Sequence, residues 1–369
     1  MTQAKPSIAI ILPGGIGTGE NNIGVPILER IIKSLSAEFE VTVFQLYRVN
    51  AGYHPKNFEL ISIHSSSRVV RLLKFFFCFH RISRQKKFVA VHGFWAMPCG
   101  FLAVVTGKLY SIKSLVSLQG GDAIALPQIG YGQLQTALSR RLVLWTLHHV
   151  GVMISPTLYL IDNLRRYGLR RKDVQYIPLG VDVDLFKFRD RSVRTPVQFL
   201  YIANLHPVKD PITLLKAFKI ISNHIDCHLT LVGEGVLENE VKSLASTLNL
   251  TAHITFQKPL PYESLVSIYA KSDVLLHTSL SEGHPIVVEE AMSCGILVCG
   301  TKVGLLYDLL DHCVAVPVGD AAALAAETLQ LLEDPERMQS QRAKAYTWAR
   351  HHSMAWTISR FKETYNVTS

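Results

Sequence analysis

Two carboxylates eight positions apart, Glu282 and Glu290, bracket Gly283-His284-Pro285-Ile286-Val287-Val288-Glu289. An ionised carboxylate only accepts hydrogen bonds, so a pair at this spacing suits two hydroxylated parts of one ligand, as sugar rings present them. Pro285 marks a helix start, which sets Glu282 just outside the positive end of a helix and Glu290 within it. The plainer reading makes Glu282 a helix cap and Glu290 a solvated face residue. Glu290, however, precedes Ala291-Met292 and Gly295, which read as buried, so its carboxylate needs a partner.

A second place for chemistry is Pro13-Gly14-Gly15-Ile16-Gly17-Thr18-Gly19-Glu20, which follows an apolar run and opens a helix. Backbone N–H groups approach an anion closely in such a loop. Its spacing is neither Gly-x-Gly-x-x-Gly nor Gly-x-x-x-x-Gly-Lys-Ser/Thr, so neither a dinucleotide oxidoreductase nor a P-loop nucleotidase is supported, and a tight turn is an equal reading. His92 ends a strand-like run, where a lone His is more often a structural hydrogen-bonder than a catalytic group. Lys209, by residue type alone, reads as a surface lysine.

The elements that must carry these residues alternate between short β-branched runs and longer helical patterns, as βαβ units with parallel sheets do. In the first half, 7–12, 40–46, 88–92, 115–118, 151–155 and 174–177 read as strands, with helices near 24–37, 68–85, 97–110, 133–149 and 156–167. In the second, strands at 198–202, 228–232, 253–256, 274–277, 297–299 and 315–316 alternate with helices near 211–223, 236–248, 261–271, 285–293, 303–310 and 320–333. The junction is expected near 185–196, rich in Arg and Asp and poor in apolar anchors. The expected fold class is α/β: two Rossmann-like βαβ domains facing each other across a cleft, with ligands at the carboxyl ends of the strands.

The chain has 369 residues, 48% apolar and 18% charged, which excludes both a disordered chain and a stapled mini-protein. No apolar run reaches the ~18 residues that a membrane span needs. Met1-Thr2-Gln3-Ala4-Lys5-Pro6 leads directly into the first strand, so no signal peptide is read and a cytoplasmic location is expected. In that setting Cys78, Cys99, Cys227, Cys294, Cys299 and Cys313 are expected to be free thiols. They form no Cys-x-x-Cys and no zinc spacing, and the sequons at Asn249 and Asn366 carry little weight. The net charge of +9 is uneven: residues 1–185 hold 21 Lys/Arg against 10 Asp/Glu, or +11, and 186–369 hold 17 against 19, or −2. A basic half suits nucleic acid, an anionic membrane surface or phosphorylated substrates.

The segment 279–295 resembles the Glu-x7-Glu signature of the retaining nucleotide-sugar glycosyltransferases of family 4, the "group 1" family with two facing Rossmann-like domains (glycosyltransferase B-type architecture). Other stretches agree in the same order. Tyr176-Ile177-Pro178-Leu179-Gly180-Val181-Asp182-Val183-Asp184-Leu185-Phe186 is similar to the family's Ile-Pro-Asn-Gly-Val-Asp…Phe segment. Tyr201-Ile202-Ala203-Asn204-Leu205-His206-Pro207-Val208-Lys209-Asp210 resembles its Gly-Arg-Leu…Lys-Gly element, Leu231-Val232-Gly233-Glu234-Gly235 its Val-Gly-Asp-Gly turn, and 346–365 its closing helix.

The resemblance implies roles. Lys209 would stabilise the charge that builds on the departing phosphate, without an obligatory metal. Asn204 stands where the family has Arg, which removes a bidentate donor that His206 or a basic residue of the first domain would have to replace. Glu290 would bind the nucleotide ribose, and Glu282 with the backbone of Gly283, His284 and Pro285 the transferred sugar. Gly14 and Gly15 would lie under the diphosphate or the acceptor, and Gly233 would belong to the donor site. Ser117-Leu118-Gln119-Gly120-Gly121-Asp122 aligns with a His-Gly-x-Asp element in which Gln119 replaces a His that contacts the sugar; Gln cannot shuttle a proton near neutral pH. Asp122 remains as an acceptor-side carboxylate, with His92 a second candidate. The catalytic set expected is Glu282, Lys209 and Asp122, with no cofactor beyond a nucleotide-diphosphate sugar as co-substrate. Residues 1–187, joined by a closing helix at 353–369, would bind the acceptor, and 188–352 the donor.

The stretch 68–87 carries seven Lys/Arg and no acid around Phe75-Phe76-Phe77 and Phe79. Such a helix could lie on an anionic membrane surface and meet a lipid-linked acceptor. Burial of its Phe cluster is the favoured reading, because every sheet-covering helix buries one face. Nucleic acid is disfavoured, since the aromatics are contiguous rather than interleaved. The function expected is therefore a retaining glycosyltransferase of polysaccharide or glycolipid synthesis, cytoplasmic or peripheral on the inner membrane face. A nucleotide-sugar epimerase, a phosphorylase and an inactive carbohydrate-binding subunit stand as alternatives.

Overall fold

The computed structural model describes residues 5–19, 24–190 and 192–365; Glu20 of the glycine-rich loop, the sequon at Asn366 and the end of the expected closing helix lie outside them. The chain divides into two compact units: one takes the residues up to 156, 160–178 and those from 356 on, the other 157–159 and 179–355.

The first unit is built on a seven-stranded parallel sheet in the order β3-β2-β1-β4-β5-β6-β7. Its strands are β1 (Ser7–Leu12), β2 (Glu40–Gln45), β3 (Glu59–Ser62), β4 (Phe88–Phe94), β5 (Lys113–Ser117), β6 (Val152–Ser155) and β7 (Val174–Tyr176), with helices α1 (Pro26–Leu35), α2 (Arg68–Ser83), α3 (Phe101–Tyr110), α4 (Ala137–His149) and α5 (Leu158–Arg166). Strand β3 was not expected. It is a four-residue edge strand, Glu-Leu-Ile-Ser, with no fully buried residue, so it lacks the apolar burst that marks the central strands. Helix α2 resolves the reading of the Phe cluster by face. Phe75, Phe79 and Ile82 are buried, with Phe75 and Phe79 5.6 and 5.4 Å from the Phe44 ring, while Val69, Leu73 and Phe77 stand exposed on the other side.

The second unit has a six-stranded parallel sheet, order β10-β9-β8-β11-β12-β13. Its strands are β8 (Val197–Ile202), β9 (Cys227–Val232), β10 (Ile254–Gln257), β11 (Val274–His277), β12 (Leu297–Thr301) and β13 (Val314–Val316). The remaining helices are α6 (Pro211–Ser222), α7 (Glu238–Thr247), α8 (Leu265–Tyr269), α9 (Ile286–Ser293), α10 (Leu305–Asp308), α11 (Ala321–Leu332), α12 (Pro335–His351) and α13 (Met354–Tyr365). Successive residues of β8 serve two cores, as a pleat dictates. Phe199 and Tyr201 pack with Leu214 and Phe218 of α6, and Leu200 with Val288 and Met292 of α9.

The division of the chain falls at 178/179 rather than 187/188. Phe186 is fully buried in the second unit, 5.5 Å edge-on from the Tyr269 ring, and Val181 N donates to Glu289 Oε1 at 3.2 Å. The expected single helix over 346–365 is two, α12 and α13, broken at 352–353. Gly180 explains how the chain passes that break: a Cβ there would lie 2.3 Å from Ser353 C and 2.4 Å from His352 O, so only glycine fits. Among the described residues no helix is long and apolar enough to cross a membrane.

Candidate active site

In each sheet the strand order reverses direction once, between β1 and β4 and between β8 and β11. Loops leaving the carboxyl ends of such neighbouring strands diverge, and the crevice they leave is where these sheets bind ligands.

In the second unit the β8 loop ends in a short 3-10 turn, Pro207–Lys209, followed by Asp210 in the left-handed region (φ 44) as the N-cap of α6. The turn is held from behind: Tyr201 Oη donates to Lys209 O at 2.9 Å, and Thr278 Oγ1 lies 2.9 Å from Asp210 O. Held in this way, Lys209 reaches the β11 loop, where its Nζ donates to Glu282 Oε1 at 2.6 Å. Ser279 Oγ donates to the same oxygen at 2.6 Å, and His277 Nε2 lies 3.4 Å from it. Burial alone would raise the Glu282 pKa, but Lys209 and His277 together outweigh it and hold the carboxyl well below the usual range. Glu282 is therefore an ionised, almost buried carboxylate and not a helix cap; no side chain caps α9. The loop is also pinned by Thr157 Oγ1, which donates to Gly283 O at 3.0 Å.

Glu290, within α9, has the partner its surroundings require: Tyr269 Oη donates to its Oε2 at 2.6 Å. The two carboxylates thus have separate partners. Glu289 between them is fully buried beside His284, 3.3 Å from the imidazole, and burial pushes its carboxyl well up while pushing His284 down to about 3. Burial thus favours the neutral form of both groups. The loops after β8 and β9 are zipped together by Ala203 N to Val232 O (3.1 Å) and Leu205 N to Glu234 O (2.8 Å). At Gly233 (φ +152) a Cβ would lie 1.9 Å from Ala203 O, which is why glycine stands at that turn. Asn204 is exposed, and His206 spends its Nδ1 on Val208 N at 3.5 Å.

In the first unit, Gln45 at the end of β2 holds the glycine loop with both ends of its amide, accepting from Ile16 N and donating to Ile16 O, each at 3.0 Å. Gly14 faces the Tyr47 side chain and Gly15 accepts from Val25 N at 2.7 Å. Two expected site residues are buried with protein partners. Asp122 is fully buried, and its oxygens accept from Gly120 N (2.9 Å), Ala96 N (3.0 Å) and Gln119 N (3.2 Å). Burial raises its pKa against those bonds, through which the group holds the 119–120 loop. His92 is buried with both ring nitrogens engaged, Nδ1 with Tyr365 Oη at 2.7 Å and Nε2 with Ser117 Oγ at 2.8 Å, and burial takes its pKa down to about 3. Gln119 is half-buried, and its Nε2 meets no acceptor among the described residues.

Sequence reasoning passed over Tyr201, Tyr269, His277, Thr278 and Gln45. The available signal was a polar residue closing an apolar strand, as in Val-Leu-Leu-His and Val-Thr-Val-Phe-Gln. A cavity of about 930 Å³ in the second unit, lined by residues such as Val193, Leu329 and Met338, contains none of these groups and is remote in chemistry from them. Among the described residues no group of three His, Cys, Asp or Glu side chains is placed to hold a metal ion.

A family model described as "Glycosyltransferase Family 4" matches residues 27–185, and one described as "Glycosyl transferases group 1" matches 182–348. N-acetyl-alpha-D-glucosaminyl L-malate synthase of Bacillus anthracis is 23% identical over 299 residues, spanning 77% of this chain and 76% of that one. The fold matches sucrose-phosphate synthase from Thermosynechococcus elongatus with a TM-score of 0.82 at 19% identity over 98% of both chains. It also matches Anabaena HepE, solved with UDP and glucose, with a TM-score of 0.76 at 15% identity over 97% of this chain and 99% of that one.

Proposed function

This chain belongs to the glycosyltransferases of the group 1 and family 4 type, and from that membership we propose that it moves a sugar, with retention at the anomeric carbon, from a nucleotide-diphosphate sugar to a glycan or lipid-linked acceptor. The second unit binds the donor and the first unit the acceptor. The observation that carries this reading is Lys209 Nζ held 2.6 Å from Glu282 at the carboxyl ends of β8 and β11. An ammonium has three N–H donors, and Glu282 uses one, so two remain for phosphate oxygens.

In the reaction the bond from the anomeric carbon to the phosphate oxygen breaks, and its electron pair stays on that oxygen. The acceptor hydroxyl forms the new bond, and its proton ends on the departing phosphate. Lys209 lies in a fixed position to meet the growing charge, which costs no reorganisation as the charge develops. Glu282 fixes Lys209, and its other oxygen is free of Lys209 to accept from a sugar hydroxyl. Glu290, oriented by Tyr269, accepts from the ribose. No metal is needed in this scheme. A UDP donor is supported by the fold neighbour solved with UDP and glucose. A lipid-linked acceptor, and a cytoplasmic site on the membrane face, are supported by the exposed face of α2, where Val69, Leu73 and Phe77 stand among basic side chains.

The test is thermal stability of the purified chain against a panel of nucleotides and nucleotide sugars, followed by transfer assays with the donor that binds. A ligand of the folded state raises the melting temperature by mass action. A rise with one nucleotide sugar that is lost in Glu290→Ala supports the reading. No rise with any nucleotide, or one unchanged in Glu290→Ala, overturns the assignment.

A further inference from the structure

The first unit holds a cavity of about 530 Å³ that the donor chemistry leaves unused. Its apolar part comes from Leu46, Met97 and Pro98, residues that follow β2 and β4, and its polar edge from Arg68 and Arg71. It therefore opens on the carboxyl side of the sheet, next to the glycine loop: Tyr47, which also lines it, is the nearest neighbour of Gly14.

Arg68 and Arg71 are three positions apart on α2, so they share a helix face. Arg71 stacks its guanidinium 5.1 Å above the Tyr47 ring centroid, a contact that steadies the fork while leaving its in-plane N–H donors available. Among the described residues no carboxylate lines the cavity and no acid pairs with either arginine. Arg68 is also the first residue of a sixteen-residue helix with no acid in its first turn, so the positive end of the helix adds to the two guanidinium charges. Two forks and a helix start offer more donors than a two-oxygen carboxylate accepts, and match a phosphate.

We propose that this cavity binds a phosphate group on the acceptor through Arg68 and Arg71, with Leu46, Met97 and Pro98 covering the carbon skeleton beside it. The inference rests on the transferase reading only for the word acceptor; the anion site is a property of the first unit. The phosphate comes either from a water-soluble phosphorylated acceptor or from a lipid headgroup, and the two are separable.

The experiment measures binding of inorganic phosphate and of glycerol 3-phosphate to the full chain by calorimetry, and co-sedimentation with phosphatidylcholine vesicles with and without phosphatidic acid. Wild type is compared with the double variant Arg68→Ala/Arg71→Ala and with the charge-conserving Arg68→Lys/Arg71→Lys. A phosphate affinity at least about tenfold weaker in the alanine pair and intermediate in the lysine pair is expected. Glycerol 3-phosphate binding with that dependence identifies a soluble acceptor; dependence seen only with phosphatidic acid vesicles identifies a lipid headgroup. Arginine-independent binding, or no binding in any arm, overturns the proposal. The melting-temperature rise with the nucleotide panel is read in parallel in wild type and in the alanine pair: its absence from both defeats the transferase reading and leaves the anion site standing.

Discussion

Lys209 Nζ and Glu282 Oε1 lie 2.6 Å apart although 73 residues separate them, and each comes from the loop after a different strand at the reversal of the second sheet. A nearly buried carboxylate with one cationic partner depends on that partner. Lys209→Ala is expected to lower transfer about a hundredfold, the typical cost of one charge-stabilising donor. It is also expected to destabilise the fold, by up to about 3–5 kcal/mol where the carboxylate is left unpaired. Chemical denaturation of both single variants and of Lys209→Ala/Glu282→Ala checks this: the double variant should be more stable than the sum of the singles, and strict additivity would refute the coupling.

The Tyr269 hydroxyl on Glu290 makes a second prediction. Tyr269→Phe keeps the ring packed on Phe186 but strips a buried carboxylate of a donor, costing about 1–3 kcal/mol. If Glu290 binds the ribose, nucleotide affinity falls with it. A variant that loses stability but binds nucleotide as wild type does would make the pair purely structural.

Glu289 carries a pH signature. Burial holds its folded pKa above the ordinary 4.5, so its contribution to stability is complete below about that pH and is lost as pH rises through the folded value. Glu289→Gln keeps an acceptor for Val181 N and cannot ionise. Its melting temperature should gain on that of wild type as pH rises above the ordinary 4.5, and parallel curves would rule out a buried acid with a raised pKa.

His92 predicts the opposite limb. Its folded pKa of about 3 lies below the ordinary 6.5, so the unfolded chain binds the extra proton as the solution is acidified. Stability is full above 6.5 and falls toward 3, by about 1.4 kcal/mol per pH unit for one imidazole. His92→Gln should flatten that slope, measured by urea midpoints, whatever its absolute cost.

Gly180→Ala places a methyl group 2.3 Å from the backbone of Ser353, where no side chain can move aside. A loss of about 1–3 kcal/mol is expected. An unchanged denaturation midpoint would show that the break between α12 and α13 yields freely.

The alternation of elements was legible because parallel strands bury both faces: β1, buried throughout, reads as an unbroken apolar run, whereas the partly exposed edge strand β3 does not. The ordered motifs from Tyr176 onward placed Lys209, Glu282 and Glu290 in one family pattern before any geometry was known. Residue type and order along the chain therefore determined the two-sheet α/β class and the motif residues Lys209, Glu282 and Glu290.

Which of those residues are free to meet a ligand is a matter of partners, and partners lie far off in sequence. Asp122 and His92 resemble reactive groups on paper, but backbone N–H groups occupy the first, and Ser117 and Tyr365, the latter 273 residues away, occupy the second. Glu289 carried no signal of its own in the sequence and is the most deeply buried acid of its helix. These distinctions turn on burial and on donors brought together by folding, because a carboxylate or imidazole takes its charge from its surroundings and not from its place in the chain.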